Sequence, residues 1–250
     1  MKQIKKHNII RELVKYTLAS GRCAAKSKVP HVFLKDIGYF RQWWKFRKSA
    51  AGTLTHKVPW LVFGAIDFLD GFLNRGMKIF EYGSGGSTIF YANRVAEVIS
   101  IEHDPVWYSR TKQVLEELSV NNVDYRQIEP VPEMDFHKKS ISSPADHISA
   151  RKEYRDMNIQ RYVTSINEYP DNSFDLVSID GRARQSCIAY ALPMIKPGGA
   201  LLIDNANRKH YLKANLALGD NSKWKLISFA GHFPFASAWV LNQTNIYIRI

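Results

Sequence analysis

An apolar run that ends on closely spaced glycines, FEYGSGGST, is the feature that most restricts how this chain folds. Met77 to Tyr82 (MKIFEY) reads as a short buried strand, and Ser87 to Arg94 as the helix that follows it. Between them, Gly83, Gly85 and Gly86 carry no side chain, so the backbone turns sharply and keeps its amides approachable at a helix N-terminus. A strand that leaves its turn as a helix returns to the sheet as a parallel neighbour, and the rest of the chain has to supply those neighbours.

It does so. From about Pro59 onward, strand-like and helix-like segments alternate, as in a parallel sheet covered by helices. Trp60 to Asn74 reads as a helix stopped by Gly76, Glu97 to Glu102 (EVISIE) as strand two, and Pro105 to Ser119 as a helix with proline in its first turn. Asn122 to Ile128 is strand three, and Ser173 to Asp180 (SFDLVSID) is strand four, with Arg184 to Ile195 as its helix. A Lys196–Gly199 turn leads to strand five, Ala200 to Asp204. Tyr211 to Leu218 reads as helical, and Trp224 to Phe229 with Thr244 to Ile250 as a closing antiparallel pair. The polar stretch 129–160, with three prolines and no periodicity, is too long for an ordinary connection and reads as an insertion of the kind that forms lids.

The 250 residues divide into a basic extension, 1–58, and one domain, 59–250. Residues 1 to 60 hold 14 Lys and Arg against only Glu12 and Asp36, so the net charge of +12 comes entirely from this arm. Phe33, Tyr39, Phe40, Trp43, Trp44 and Phe46 are interleaved with those charges. Two readings stand: a helical extension packing its aromatics on the domain, or a surface for phosphates, anionic lipid headgroups or an acidic substrate. No stretch is long and apolar enough for a membrane span, and Arg11, Glu12 and Lys15 interrupt the apolar run a secretory signal would need. Cys23 and Cys187 form neither a disulfide framework nor a zinc site, and a cytoplasmic setting is expected.

Two details of the turn separate its ligand from a dinucleotide. The dinucleotide fingerprint needs a third small residue where this chain has Thr88, so that helix and strand pack closely beside a pyrophosphate. Glu81, just ahead of the glycines, suits an amino group instead, directly or through water. Glu102 ends strand two about twenty residues later, where a carboxylate accepts hydrogen bonds from both ribose hydroxyls. His103 and Asp104 follow it, and Asp104 also suits the cap of the Pro105 helix. Together these residues resemble the class I S-adenosylmethionine-dependent methyltransferases. The match runs through Glu81 to Ser87 (E-x-G-x-G-x-S), Glu102, FDLVSID at Phe174 to Asp180 and IKPGGALLID at Ile195 to Asp204. The resemblance implies an α/β, Rossmann-like seven-stranded sheet in the order 3-2-1-4-5-7-6 with strand seven antiparallel. It also implies that S-adenosylmethionine lies over the ends of strands one and two, on Glu81, Gly83, Ser84, Gly85, Ser87, Thr88, Glu102, His103 and Asp180.

Reacting groups in such sheets gather outside the carboxyl ends of the strands. Asp180 ends strand four, and Asp204 with Asn205 ends strand five. These three oxygen-bearing side chains form a candidate Mg2+ site, resembling that of the metal-dependent catechol-type O-methyltransferases, although the flanking GlyArgAlaArg and AlaAsnArg differ from theirs. The alternative gives Asp180 to the methionine part of the donor or to proton abstraction, and leaves Asp204 as a helix cap. Arg182, Arg184, Arg208 and Lys209 would neutralise these acids or grip an anionic acceptor. His232 is a second candidate base, weighed against a structural role. There is no Asn/Asp-Pro-Pro-Tyr motif after strand four, which argues against amino-group methylation of that style, and no Pro-Cys nucleophile. The chain therefore reads as an O-methyltransferase of a small-molecule or sugar-type acceptor, its pocket shaped by the insertion and the arm. The alternatives are an RNA methyltransferase or RNA-binding protein using the arm, and an enzyme at an anionic membrane.

Overall fold

The computed structural model describes residues 8–27, 31–49, 51–213 and 215–250. Three helices come first: α1 (Ile9–Ser27), α2 (His31–Gly38) and α3 (Phe40–Lys48). Two more, α4 (Thr53–His56) and α5 (Phe63–Phe72), lead into the first strand. The α/β part then runs β1 (Lys78–Tyr82), α6 (Gly86–Ala92), β2 (Glu97–Glu102), α7 (Pro105–Glu117) and β3 (Val123–Gln127). A two-strand ribbon, β4 (Val131–Pro132) with β5 (Met157–Asn158), closes the 129–160 insertion. The chain continues through α8 (Gln160–Thr164), β6 (Phe174–Ile179), α9 (Arg184–Ala191), β7 (Ile195–Asp204), β8 (Trp224–Gly231) and β9 (Asn242–Arg249).

The seven long strands form one sheet in the order β3-β2-β1-β6-β7-β9-β8. β1, β2, β3, β6 and β7 are parallel and β9 is antiparallel to both its neighbours, which is the 3-2-1-4-5-7-6 arrangement that the family resemblance implies. The central strands read as continuous apolar runs because helices cover both faces. Alternate residues go to opposite sides: Ile79, Val98, Leu176, Leu202 and Ile246 to one core, Phe80, Ile99, Val177, Ile203 and Tyr247 to the other.

The segment expected to be helical from Tyr211 to Leu218 is instead irregular, with single 3-10 turns at Lys209–Tyr211 and Leu216–Gly219. The backbone bends there because Asn215 turns its side-chain amide back to the carbonyls of Tyr211 and Gln185. Residues of the basic arm enter the first core. Tyr16 and Trp43 are fully buried among Phe63, Leu69, Phe90 and Ala238, and Trp43 Nε1 donates to the Ala236 carbonyl at 3.1 Å.

Candidate active site

The first β-to-α junction is built by its glycines. Gly83 has φ +91°, and a Cβ there would stand 2.7 Å from Gly181 Cα, so β1 and β6 can end side by side only with glycine at this position. Gly86 opens α6, where a Cβ would overlap the carbonyl oxygens of Val58 and Thr53, so α4 and α6 pack backbone to backbone.

Beside this turn stands Glu102, closing β2. Its Oε2 accepts from the Ser84 amide at 3.0 Å and the Ser84 hydroxyl at 2.9 Å. Oε1 accepts from the amides of His103 and Asp104 at 2.8 and 2.9 Å and lies 2.7 Å from His103 Nδ1. Burial disfavours the charged form, but His103 and the backbone amides of Asp104 and Ser84 outweigh it and hold the carboxyl below its usual range. Glu102 is therefore an anion whose acceptor geometry is fixed in advance. Trp107, one turn into α7, donates Nε1 to the Ser84 carbonyl at 2.8 Å and lays its ring edge along Gly85. Asp104 caps α7, accepting from the Trp107 amide at 2.8 Å, so the same capping bond that starts the helix orients the tryptophan.

These groups line a cleft of about 660 Å3 over the carboxyl ends of β1, β2, β6 and β7. Of the residues picked from the sequence, Gly83, Ser84, Glu102, His103, Asp180, Asp204 and Asn205 form its wall. Gly85 in the turn and Ser87 and Thr88 in the first turn of α6 do not line it, and Thr88, fully buried with its hydroxyl donated to Glu81, is corrected as a donor contact. Glu81 is displaced from the role assigned to it. It points to the α6 side of β1, as Ile79 does, and is fully enclosed, with Oε2 accepting from Thr88 and Ser100, each at 2.6 Å. Desolvation raises its carboxyl to about 7, against the hydrogen bonds of Ser100 and Thr88. Glu81 ties the turn to the sheet.

Asp180, about a third exposed, faces the cleft with Oδ1 held by Arg184 at 2.7 Å. Desolvation lifts its carboxyl above the ordinary range, with Arg184 opposing and Asp204 and Glu81 adding to it. Arg184 itself is buried, donates to the backbone carbonyls of Gly181, Asp180 and Asp204, and lies 3.7 Å from Asp204 Oδ2. Asp204 also accepts from Thr244 at 2.7 Å, from Asn242 at 3.0 and 3.1 Å, and from the Asn205 side-chain amide at 2.8 Å. The metal reading of Asp180, Asp204 and Asn205 is corrected on this ground. A guanidinium fills the place between the two acids, and Asn205 turns its NH2, not its oxygen, toward Asp204. These residues do not fit a cation.

His232 is also corrected as a catalytic base. It is fully buried away from the cleft, stacked on Tyr16 with centroids 3.5 Å apart. Nδ1 is 2.7 Å from Asp36 Oδ2 and Nε2 2.8 Å from the Ala238 carbonyl, so both ring nitrogens are engaged. It joins the arm to the sheet.

Arg182 and Arg208, from the loops after β6 and β7, also line the wall as the sequence suggested. The rest was not legible from local motifs: Arg151 and Tyr154 come from the insertion, and Trp60, Phe233 and Val240 form an apolar rim. Among the described residues, none before position 60 lines the cleft, so the arm is not seen to shape it. His103 Nε2 and Arg182 Nε are buried without a hydrogen-bond partner.

No protein-family profile and no curated protein matches the chain. Solved structures do resemble it. A candidate O-methyltransferase from Klebsiella pneumoniae shares 14% identity over 84% of this chain and 98% of its own, with a TM-score of 0.54. An rRNA methylase from Streptococcus thermophilus shares 12% over 77% of this chain and 98% of its own, at 0.50. An O-methyltransferase from Bacillus cereus in complex with SAH shares 13% over 70% of this chain and 74% of its own, also at 0.50. With its strand order, glycine turn and acidic end of β2, this chain has the class I, Rossmann-like fold of the S-adenosylmethionine-dependent methyltransferases.

Proposed function

We propose that the protein transfers a methyl group from S-adenosylmethionine to an acceptor carrying an anionic group. One observation carries the reading. The glycine turn, a pre-organised Glu102 carboxylate and a partly exposed Asp180 of raised proton affinity share one cleft. Glu102 would accept from the ribose hydroxyls, with the rotatable Ser84 hydroxyl yielding one of its bonds. Trp107 offers the adenine an indole edge. When bound, the donor supplies a methyl already activated on sulfonium sulfur, so the protein's remaining tasks are alignment and removal of one proton. Asp180 would take the proton, a role supported by its position in the cleft and by a proton affinity raised toward neutrality, where a base works best. Arg151, Arg182 and Arg208, unlike the internally neutralised Arg184, are available to an anion. An oxygen atom of a small or sugar-type acceptor is the methylated position in this reading.

Titration calorimetry with S-adenosylmethionine and S-adenosylhomocysteine tests it. Binding is expected, and Glu102→Ala weakens it about 10- to 100-fold through loss of charge-assisted hydrogen bonds. Absence of binding by the intact protein, or the same affinity in Glu102→Ala, overturns the reading.

An RNA acceptor is the second reading, favoured by the excess charge of residues 1 to 60 and by the likeness to an rRNA methylase. RNA held through those cations weakens steeply between low and physiological salt. Because Tyr16 and Trp43 belong to the core, charge substitutions and not deletion of the arm are the clean probe. RNA affinity unchanged in Arg11→Gln/Arg22→Gln/Lys35→Gln removes this alternative.

A further inference from the structure

α1 has two contrasting faces. Glu12, Tyr16, Ala19, Ser20 and Ala24 are turned inward. On the opposite side Ile10, Val14 and Leu18, spaced by four, form a row along the axis with exposures of 70, 53 and 54%. At 100° per residue, Arg11 and Arg22 fall along one border of that row, while Lys15 beside them is paired with Glu12 at 2.7 Å. An ordinary surface helix turns charge to water, and this one presents an aliphatic strip with a cationic edge. α2, packed on α1 through Phe33 against Gly21, adds the exposed Leu34 and Lys35.

The strip leads toward the cleft. Arg22 sits 5.0 Å over the ring of Trp239, which is about half exposed. Its neighbour Val240 belongs to the cleft wall together with Trp60 and Phe233, and Val240 and Trp60 are themselves about half exposed. Aliphatic strip, cationic edge, two exposed tryptophans and the apolar rim of the cleft are thus neighbours along one path.

We infer that α1 docks the protein on an anionic lipid surface and presents the cleft to an amphiphilic acceptor held there. Charge and chemistry select this occupant. An in-plane helix buries its apolar row at the acyl boundary while lysine and arginine meet anionic headgroups, and tryptophan favours that boundary. RNA binds by phosphate contacts and by stacking on aromatic rings, which leaves Ile10, Val14 and Leu18 unmatched. A second copy would bring the same arm, with its 14 cations and two acids, against itself. Among the described residues no helix is long and apolar enough to cross a membrane, so docking and not spanning is the mode. The acceptor half of this inference rests on the methyltransferase reading, whereas the docking half does not.

The test is flotation of the full-length protein with vesicles of phosphatidylcholine mixed with phosphatidylglycerol, and of phosphatidylcholine alone. The protein is expected to float with the mixed vesicles and to remain behind with the neutral ones. Ile10→Ser/Val14→Ser/Leu18→Ser lowers the partition constant about a hundredfold, because three exposed apolar side chains lose their transfer into the boundary. Arg11→Glu/Arg22→Glu lowers binding to mixed vesicles only. Thermal melting and donor calorimetry are run on each variant, and both are expected to stay at the level of the parent protein. Failure of the parent protein to float, or equal flotation of the triple variant, overturns docking. So does an RNA complex or a dimer that disappears with the triple variant. Intact donor binding in those cases leaves the methyltransferase reading standing, and loss of donor binding in the parent protein removes that reading separately.

Discussion

Replacing Glu81 by glutamine isolates the carboxyl that ties the glycine turn to the sheet. The side chain is enclosed on all sides, with Oε2 bonded to Thr88 and Ser100 and Oε1 unpartnered. Burial raises its proton affinity from 4.5 to about 7. The folded state therefore holds a proton that the unfolded chain has released, and stability falls as the pH rises from 4.5 through about 7. At 1.36 kcal/mol per pH unit, the whole window corresponds to about 3 kcal/mol. Glu81→Gln keeps the shape and cannot ionise. Guanidinium unfolding of ligand-free protein at about pH 5 and about pH 8 should show the parent protein losing roughly 3 kcal/mol more than the variant. Asp180 and Asp204 also have raised proton affinities and are kept in both proteins, so the difference between the two pH curves reports Glu81 together with the smaller change its charge makes at Asp180. Parallel curves would refute the reasoning, showing that water or a nearby cation reaches the carboxylate.

Asp36→Ala removes the partner of the Ser20 hydroxyl and of the backbone amide and Nδ1 of His232 in a closed environment, and chemical denaturation should register a loss of about 3–5 kcal/mol with little change in donor affinity. Asp180→Asn should leave donor binding near the parent value and lower turnover by about 100-fold or more. Its pH–rate profile should lose the limb that rises as Asp180 gives up its proton, and an unchanged limb would assign the base elsewhere. With Arg184 occupying the space between Asp180 and Asp204, EDTA is expected to leave turnover unchanged, and abolition by chelation with rescue by Mg2+ would contradict that placement. Trp107→Ala should weaken donor binding about tenfold by calorimetry, since the indole both walls the cleft and braces Ser84.

Local chemistry accounts for what was legible beforehand. Buried parallel strands must be apolar along their length, a strand-to-helix turn this tight requires glycine, and a carboxylate closing the next strand lands beside it, so strands, turn and Glu102 followed from residues close in the chain, while the sheet order came from the family resemblance those residues carry. Asp104 and Pro105 likewise announced the start of α7. The side on which a residue ends up was harder. Glu81 and Gly83 are two apart, yet Glu81 shares the face of Ile79 beneath α6 while Gly83 reaches the cleft beyond the strand end.

Tertiary structure alone decided the roles that depend on residues distant in the chain. His232 is held by Asp36, 196 positions away, and no local pattern announces that pairing. Asp204 is claimed by Thr244 and Asn242 from the antiparallel β9, and Arg184 takes the position a cation would need. Arg151 and Tyr154 reach the wall from an insertion without periodicity. The sequence determined the elements and their order, because propensity, turn geometry and apolar period act over a few residues. Which polar group faces a ligand and which one is spent on another side chain is settled only when distant strands and helices close on each other, since a buried charge or hydrogen-bonding atom takes whatever partner packing brings within reach.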